Sequence, residues 1–422
     1  TPKKVFGEGR ATRGGEFDDD DDDGVGMLWR LVSDRPEIFD AHVVTKLNGN
    51  DAKFFYDVNR ESRAAMQRSG VRLADAFRIK DFDTKSTISW ALEKCLEKKE
   101  RFCSKMAENG NVELLEFLHE KGCPWDEMTC LVAAEEGHLE CLKYAHANGC
   151  PWHERTCHFA AEKGHFECLK YAHENGCPWN EDTCYHAAFK GHLECLRYAH
   201  ENGCRWNRSW NDDTHSFEDP CWNSAKNGHL ECLKYAHEKG CPWDIWTCTQ
   251  AAENGHLECL KYLHENGCPW DELTCFWAAK YGHLECLKYA HENGCPLDSI
   301  NEDTDDGTDE DACSEAAKSG HLECLKYLHE NGCPWDESTC NNAAFGGQLE
   351  CLKYLRENGC PWDKYTCSYA AKNGHLECLK YARENRCPWT EETCYNAAQN
   401  GHLECLKYAH ENGCPGSEKY AH

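Results

Sequence analysis

Between Gly110 and the C-terminus one stretch of text is written eleven times. Its common form is GHLECLKYAHENGCPWDEETCxxAAKN, beginning at Gly110, Gly137, Gly164, Gly191, Gly228, Gly255, Gly282, Gly320, Gly347, Gly374 and Gly401. The step is 27 residues, apart from two longer steps that carry insertions. A unit this short cannot bury its apolar face alone, so each must cover its neighbour's, which is the arrangement of a solenoid. Length alone, at 422 residues, would suggest two or three globular domains, but an array needs no such partition. Its function is biased toward binding rather than catalysis.

The unit from Pro124 to Gly149 shows what each repeat folds into. Asp126 is the expected N-cap of a first helix running to Glu136, with Trp125 and Cys130 at the spacing of a hydrophobic staple. Gly137 ends that helix in the left-handed conformation. Cys130, Ala133 and Ala134 fall at i, i+3 and i+4, a face of small residues that lets another helix approach closely. A second helix covers about Leu139 to Ala147, closed by Asn148-Gly149 and then Pro151. Each unit is a helix–turn–helix, and the chain is expected to be all-α: a helical solenoid of about eleven repeats.

The 33 cysteines are locked to the repeat as C-x8-C-x6-C-x10-C, for example Cys141, Cys150, Cys157 and Cys168. Equivalent positions in stacked helices lie about 8–10 Å apart, beyond the roughly 7 Å limit between Cα atoms for a disulfide. Pairs between non-equivalent positions stay open. The favoured reading is reduced, buried thiols acting as small hydrophobes in a cytoplasmic or nuclear protein.

The stretch AAEEGHLECLKYAHANG resembles the ankyrin pattern AAxxGHLEVVKLLLENG, and the likeness recurs in every unit across residues 103–415. The period is 27 rather than about 33 residues, and Cys130 stands where the TPLH tetrapeptide has leucine. The resemblance is to the short repeats of giant viruses and unicellular algae. It implies the ankyrin fold and protein binding, with the β-hairpin finger reduced to the Cys-Pro-Trp turn.

Two units break the period, within NRSWNDDTHSFEDP near 207–220 and DSINEDTDDGTDED near 298–312. Both lie in the same inter-repeat turn. They are read as lengthened surface loops, tolerated because loop closure is cheap, or as regrown fingers at a contact site. Asn301, Asp303 and Asp305 alternate as calcium ligands would, but Gly307 comes one place late and Ala312 stands where the final Glu belongs, so calcium is not expected.

Because the units are near-copies, their constant positions carry folding and their variable ones are free for partner choice. The places two before, two after and five after the Thr-Cys cysteine vary most and point away from the small-residue face. They hold aromatics: Phe159, His186, Phe189, Trp246, Trp277, Tyr365 and Tyr369, flanked by Phe276, Tyr281 and Tyr395. An aligned aromatic stripe reads as a partner-binding surface; the bland alternative is packing inside the solenoid.

Each unit also offers a His-x-x-Cys, such as His138 and Cys141, but no unit has the paired spacing of a structural zinc site, so no metal or other cofactor is expected. No phosphate-binding loop, dinucleotide turn, nucleophile elbow or metalloprotease helix is present, and the chain is not expected to be an enzyme. The formal charge of −28 argues against nucleic acid and anionic membranes as partners. No apolar run approaches the length of a span, and the chain begins at Thr1 without a signal peptide or a Met.

Residues 1–25, with six consecutive aspartates from Asp18 to Asp23, read as a disordered acidic tail. Residues 26–98 are non-repetitive and read as a small helical domain, with the array spanning 99–422. Within 35–63 the text RPEIFDAHVVTKLNGNDAKFFYDVNRESR resembles an F-box: Pro36 and Glu37 open it, Phe39, Val43 and Val44 make an apolar face, Leu47 precedes Asp51 by four, and Val58 follows seven later. Arg35 replaces the usual first leucine. The resemblance implies docking to the linker protein of a cullin-type ubiquitin ligase, with the array selecting the ligase's target. The alternative is a helical cap on the open end of the array. After Pro415 the last repeat is expected to lack a following partner. The functional expectation is a protein-interaction scaffold; the other readings are a Cys/His-rich metal or redox buffer and an idle scaffold.

Overall fold

The structure is a computed structural model and describes residues 85, 100–206, 209–211, 216–297 and 311–420. The F-box-like residues Pro36, Phe39, Val43, Leu47, Asp51 and Val58 lie outside the described residues, as do Asn301, Asp303, Asp305 and Gly307 of the second insertion. The chain divides into two units, Thr1–Thr129 and Cys130–His422. In the first, α1 (Glu100–Glu108) and α2 (Val112–Glu120) form one helix pair that buries Phe102, Met106, Leu115 and Leu118.

The second unit begins inside α3 (Glu127–Glu135), which is followed by α4 (Leu139–Ala147). The succession continues as α5 (Thr156–Glu162), α6 (Phe166–Glu174), α7 (Asp182–Phe189), α8 (Leu193–Glu201), α9 (Pro220–Lys226), α10 (Leu230–Glu238), α11 (Ile245–Glu253) and α12 (Leu257–Glu265). It ends with α13 (Glu272–Lys280), α14 (Leu284–Glu292), α15 (Ala312–Ser319), α16 (Leu322–Glu330), α17 (Glu337–Phe345), α18 (Leu349–Glu357), α19 (Lys364–Lys372), α20 (Leu376–Glu384), α21 (Glu391–Gln399) and α22 (Leu403–Glu411). Odd numbers are the first helices of each repeat and even numbers the second.

Local chemistry sets these boundaries. Asp126 accepts a hydrogen bond from the Met128 N–H at 3.1 Å, and Asp244, Asp271, Asp336 and Asp363 cap their helices in the same way. In α11 and α17 the cap is a full box, with Thr247 and Thr339 returning a bond to the aspartate N–H. Gly137 sits at φ +78°, as expected for a left-handed helix end.

The first helices stack on one another, α5 on α7, α11 on α13, α15 on α17 and α19 on α21. Their contact face is the predicted one: Cys157, Ala160 and Ala161 have no exposed surface. From Cys221 to Cys405 the second helices contribute Cys and Leu to one continuous core with the first helices. None of the 32 described cysteines is in a disulfide, and all are buried.

The aromatic residue of the Cys-Pro-Trp turn reaches beyond its own helix start. Trp152 stacks on His146 of the preceding helix at 4.3 Å and meets Tyr171 of the next repeat edge-on at 6.4 Å. The Tyr171 hydroxyl and His146 Nδ1 are 3.2 Å apart, and Trp152 Nε1–H donates to the Asn175 carbonyl at 3.1 Å. Thus the turn ties α4 to α6. The same His–Trp–Tyr ladder recurs at His173–Trp179–Tyr198, His237–Trp243–Tyr262, His264–Trp270–Tyr289 and His329–Trp335–Tyr354. Where arginine replaces the histidine, Arg356 and Arg383 lie over Trp362 and Trp389 at 4.6 and 4.5 Å.

The insertion near 207–220 contains the only strands among the described residues. β1 (Ser209–Asn211) and β2 (Ser216–Glu218) pair antiparallel, with Trp210 opposite Phe217, and lead directly into α9. A finger-like hairpin is therefore present in this turn, a small departure from an all-helical chain. At the other end one expectation fails. The last repeat is not left bare, because Ser417–Tyr420 forms a 3-10 turn against α21 and α22. Tyr420 packs with Cys394, Leu406 and Cys414, and Lys419 pairs with Glu391.

Candidate docking face

The variable positions of the first helices divide by depth. Tyr281, Tyr365 and Tyr395 are 46%, 38% and 45% exposed. Phe159, His186, Phe189, Trp246, Trp277 and Tyr369 are half-buried, showing one edge to solvent. Phe276 departs from expectation at 1% exposed. It lies one place after its cysteine, a position exposed at Tyr395 of the last repeat but buried in most others. The same position buries Trp222, Thr249 and Ser368. Phe276 is a core residue and no surface anchor.

Two aromatic clusters form, rather than an unbroken stripe. In one, Trp277 and Tyr281 stack at 5.8 Å, with the Lys280 ammonium 5.0 Å from the Trp277 ring. In the other, Tyr369 touches Tyr365 at 6.1 Å and Phe345 at 5.9 Å, and Lys364 lies over Tyr365 at 4.9 Å. Phe345, 37% exposed, was not among the residues named from the sequence, although it stands five places after Cys340 and obeys the same rule. Tyr395 adds to this end of the array, 6.3 Å from Tyr420.

Glu315 of α15 separates the clusters. It occupies the place that Trp277 and Tyr369 hold in their repeats, yet its side chain is buried. Lys280 at 3.0 Å and Lys318 at 2.8 Å pair with its carboxylate from two repeats. A buried carboxylate persists only with such partners, so this is a structural joint in the middle of the face. Farther along, His158 and His186 rings lie 4.0 Å apart, and Tyr185 stacks on Phe189 at 6.4 Å.

The histidine after each glycine is structural. His229 Nε2 lies 3.2 Å from the Phe189 carbonyl and His375 Nε2 3.0 Å from that of Phe345, each reaching back to the preceding repeat. Burial holds His192, His229, His256 and His321 below the ordinary imidazole value. The thiols are equally occupied. Hydrogen bonding to Cys150 and burial both push the Cys130 thiol up, and burial pushes Cys168 up to about 12. A protonated, buried thiol at these two positions is neither a nucleophile nor a ready metal ligand, whereas hydrogen bonding from Cys157 and Cys184 lowers Cys177 and Cys204.

Among the described residues, no helix is long and apolar enough to cross a membrane. Sequence models of ankyrin repeats match residues 130–209, 248–339 and 275–366 in the three-copy form, and 184–237, 221–264 and 367–411 in the many-copy form. Together they run from residue 130 to 411. The chain is also similar to the crystal structure of the human ASB11 ankyrin repeat domain, at 22% identity and a TM-score of 0.39, over 47% of this chain and 96% of that one. Comparison with curated protein sequences returns no match.

Proposed function

The chain belongs to the ankyrin-repeat family, whose arrays are general protein–protein interaction modules, and on that premise we propose that this array docks a protein partner on its first-helix face. The observation that carries the reading is the exposure of Tyr281 at the end of α13 and of Phe345, Tyr365 and Tyr395 on α17, α19 and α21. Large aromatics left on a surface mark contact sites, and Trp and Tyr dominate binding hot spots. Trp277, Phe159 and Tyr369 supply further anchors from half-buried positions. The fold is typically a non-enzymatic scaffold.

The finer version is a substrate-recognition adaptor. In it, residues 35–63 dock the linker protein of a cullin-type ligase and the array selects the target; its support is the motif in that segment alone. The test is affinity capture with the full chain, a Trp277→Ala/Tyr369→Ala variant and a Phe39→Ala/Leu47→Ala variant, followed by mass spectrometry. The aromatic variant is expected to lose its array partner by at least about tenfold, since a hot-spot residue is worth about 2 kcal/mol or more. The box variant is expected to lose only the ligase linker. Identical partners for all three proteins would sink both readings.

A further inference from the structure

We propose that His158, Glu162 and His186 form a zinc site that clamps two adjacent repeats and leaves one coordination position open to solvent. His158 and Glu162 stand four residues apart on α5, hence on one face of that helix. His186 stands on α7, the equivalent helix of the next repeat, which stacks against α5. Glu162 Oε2 is 3.6 Å from His158 Nε2 and 4.0 Å from His186 Nδ1, and the three ligand atoms all lie within 4.8 Å of one another. Zinc held by arms of about 2.0–2.1 Å needs ligand atoms about 3.4 Å apart. Small side-chain rotations close that gap.

Several independent features point the same way. The side chains are 14%, 20% and 26% exposed, sheltered yet reachable. His186 Nδ1 is buried with no hydrogen-bond partner, and a buried polar atom left idle calls for an occupant. An imidazole is mostly neutral at physiological pH, with a lone pair to donate. Two neutral imidazoles and a carboxylate are a donor set that zinc takes, with water in the fourth position.

The other repeats act as a control within one molecule. The next set of equivalent positions holds Tyr185, Phe189 and Asn223, and the one after the next repeat holds Thr249, Glu253 and Trp277. Nowhere else in the array does this arrangement present more than one ligating side chain. The set is therefore a local departure and no by-product of the repeat. Spacing within a single unit hides it, because its third member comes from the neighbouring unit.

His186 lies on the proposed docking face, so the open position is available to water or to a partner's side chain. The test uses the full chain stripped with a chelator and titrated with zinc chloride by calorimetry, with bound metal counted after dialysis. One zinc per chain is expected for the wild type. Glu162→Gln and His186→Gln are expected to abolish stoichiometric binding, and His264→Gln, in the His–Trp–Tyr ladder, to retain it. Substituted cobalt(II) supplies a readout independent of folding in the variants: nitrogen and oxygen ligands show no sulfur-to-metal charge-transfer band. No zinc uptake, zinc uptake unchanged in Glu162→Gln and His186→Gln, or a sulfur charge-transfer band in the wild type would each overturn the site.

Discussion

Two glycine positions recur along the array, the second held by Arg386 in one repeat, and they are constrained to different degrees. Gly164 has φ +78°, and a Cβ added there would stand 2.4 Å from His192 Nδ1 of the next repeat. Gly176 has φ +81°, but nothing lies within 4 Å of an added Cβ. The chain itself confirms the distinction: Arg386 holds φ +67° at the second kind of position, so a side chain is tolerated there. Gly176→Ala is expected to cost about 1 kcal/mol, the penalty of the left-handed region. Gly164→Ala adds a displaced histidine and an inter-repeat bond, and should cost about 2–4 kcal/mol. Urea unfolding of both variants checks the order, and equal costs would refute it.

At the scale of helices and turns, the repeat text made much of the fold readable. Asp126 as N-cap, Gly137 as helix end and the buried Cys130, Ala133 and Ala134 all stand where the spacing put them. What spacing could not reveal is whether a residue's neighbour lies in its own unit or the next one, since a periodic text looks the same either way. Trp125, read as a staple within its own unit, also stacks on His119 of the preceding helix at 4.1 Å. Phe276 read as a surface anchor because its outward neighbours Trp277 and Tyr281 are adjacent in sequence, and Phe345 went unnamed though its position followed the rule. The ligand set His158, Glu162 and His186 was invisible for the same cause.

The ladder also supports a prediction about single turns. Trp243 stacks on His237 at 3.6 Å and packs against the core, and Tyr262 hydroxyl lies 3.0 Å from His237 Nδ1. Tyr262→Phe removes a single hydrogen bond, worth about 0.5–1.5 kcal/mol. Trp243→Ala removes the stack and its burial, and should cost about 2–4 kcal/mol. Leu297 shows how far the position can be relaxed naturally, standing in the tryptophan's place while His291 still bonds to Tyr327 at 2.9 Å. A Trp243→Leu variant is accordingly expected to fall between the two, as measured by chemical denaturation.

For the second unit taken whole, the histidines make stability depend on pH in a definite direction. His192, His229, His256 and His321 are each lowered chiefly by burial. Their folded pKa lies below the unfolded one near 6.5. Above that value both states are neutral at these sites and nothing is lost. As pH falls below about 6.5 the unfolded chain takes up protons that the folded chain resists, so stability declines. Burial raises Asp271, Asp311 and Glu253, which restores some stability as pH falls through their raised folded values toward the unfolded ones near about 4, and so opposes the histidines. The formal charge of −28 favours protonation everywhere, and 0.15 M salt, with a Debye length of about 8 Å, screens that long-range part. The urea midpoint in such salt is therefore expected to be lower at pH 5.5 than at pH 7.5, with the slope unchanged. Gln348, the natural non-titrating occupant facing Gly320, indicates the control. His256→Gln should reduce the difference between the two midpoints. A midpoint equal or higher at pH 5.5 would show that the inter-repeat histidines do not govern the array's response to acid.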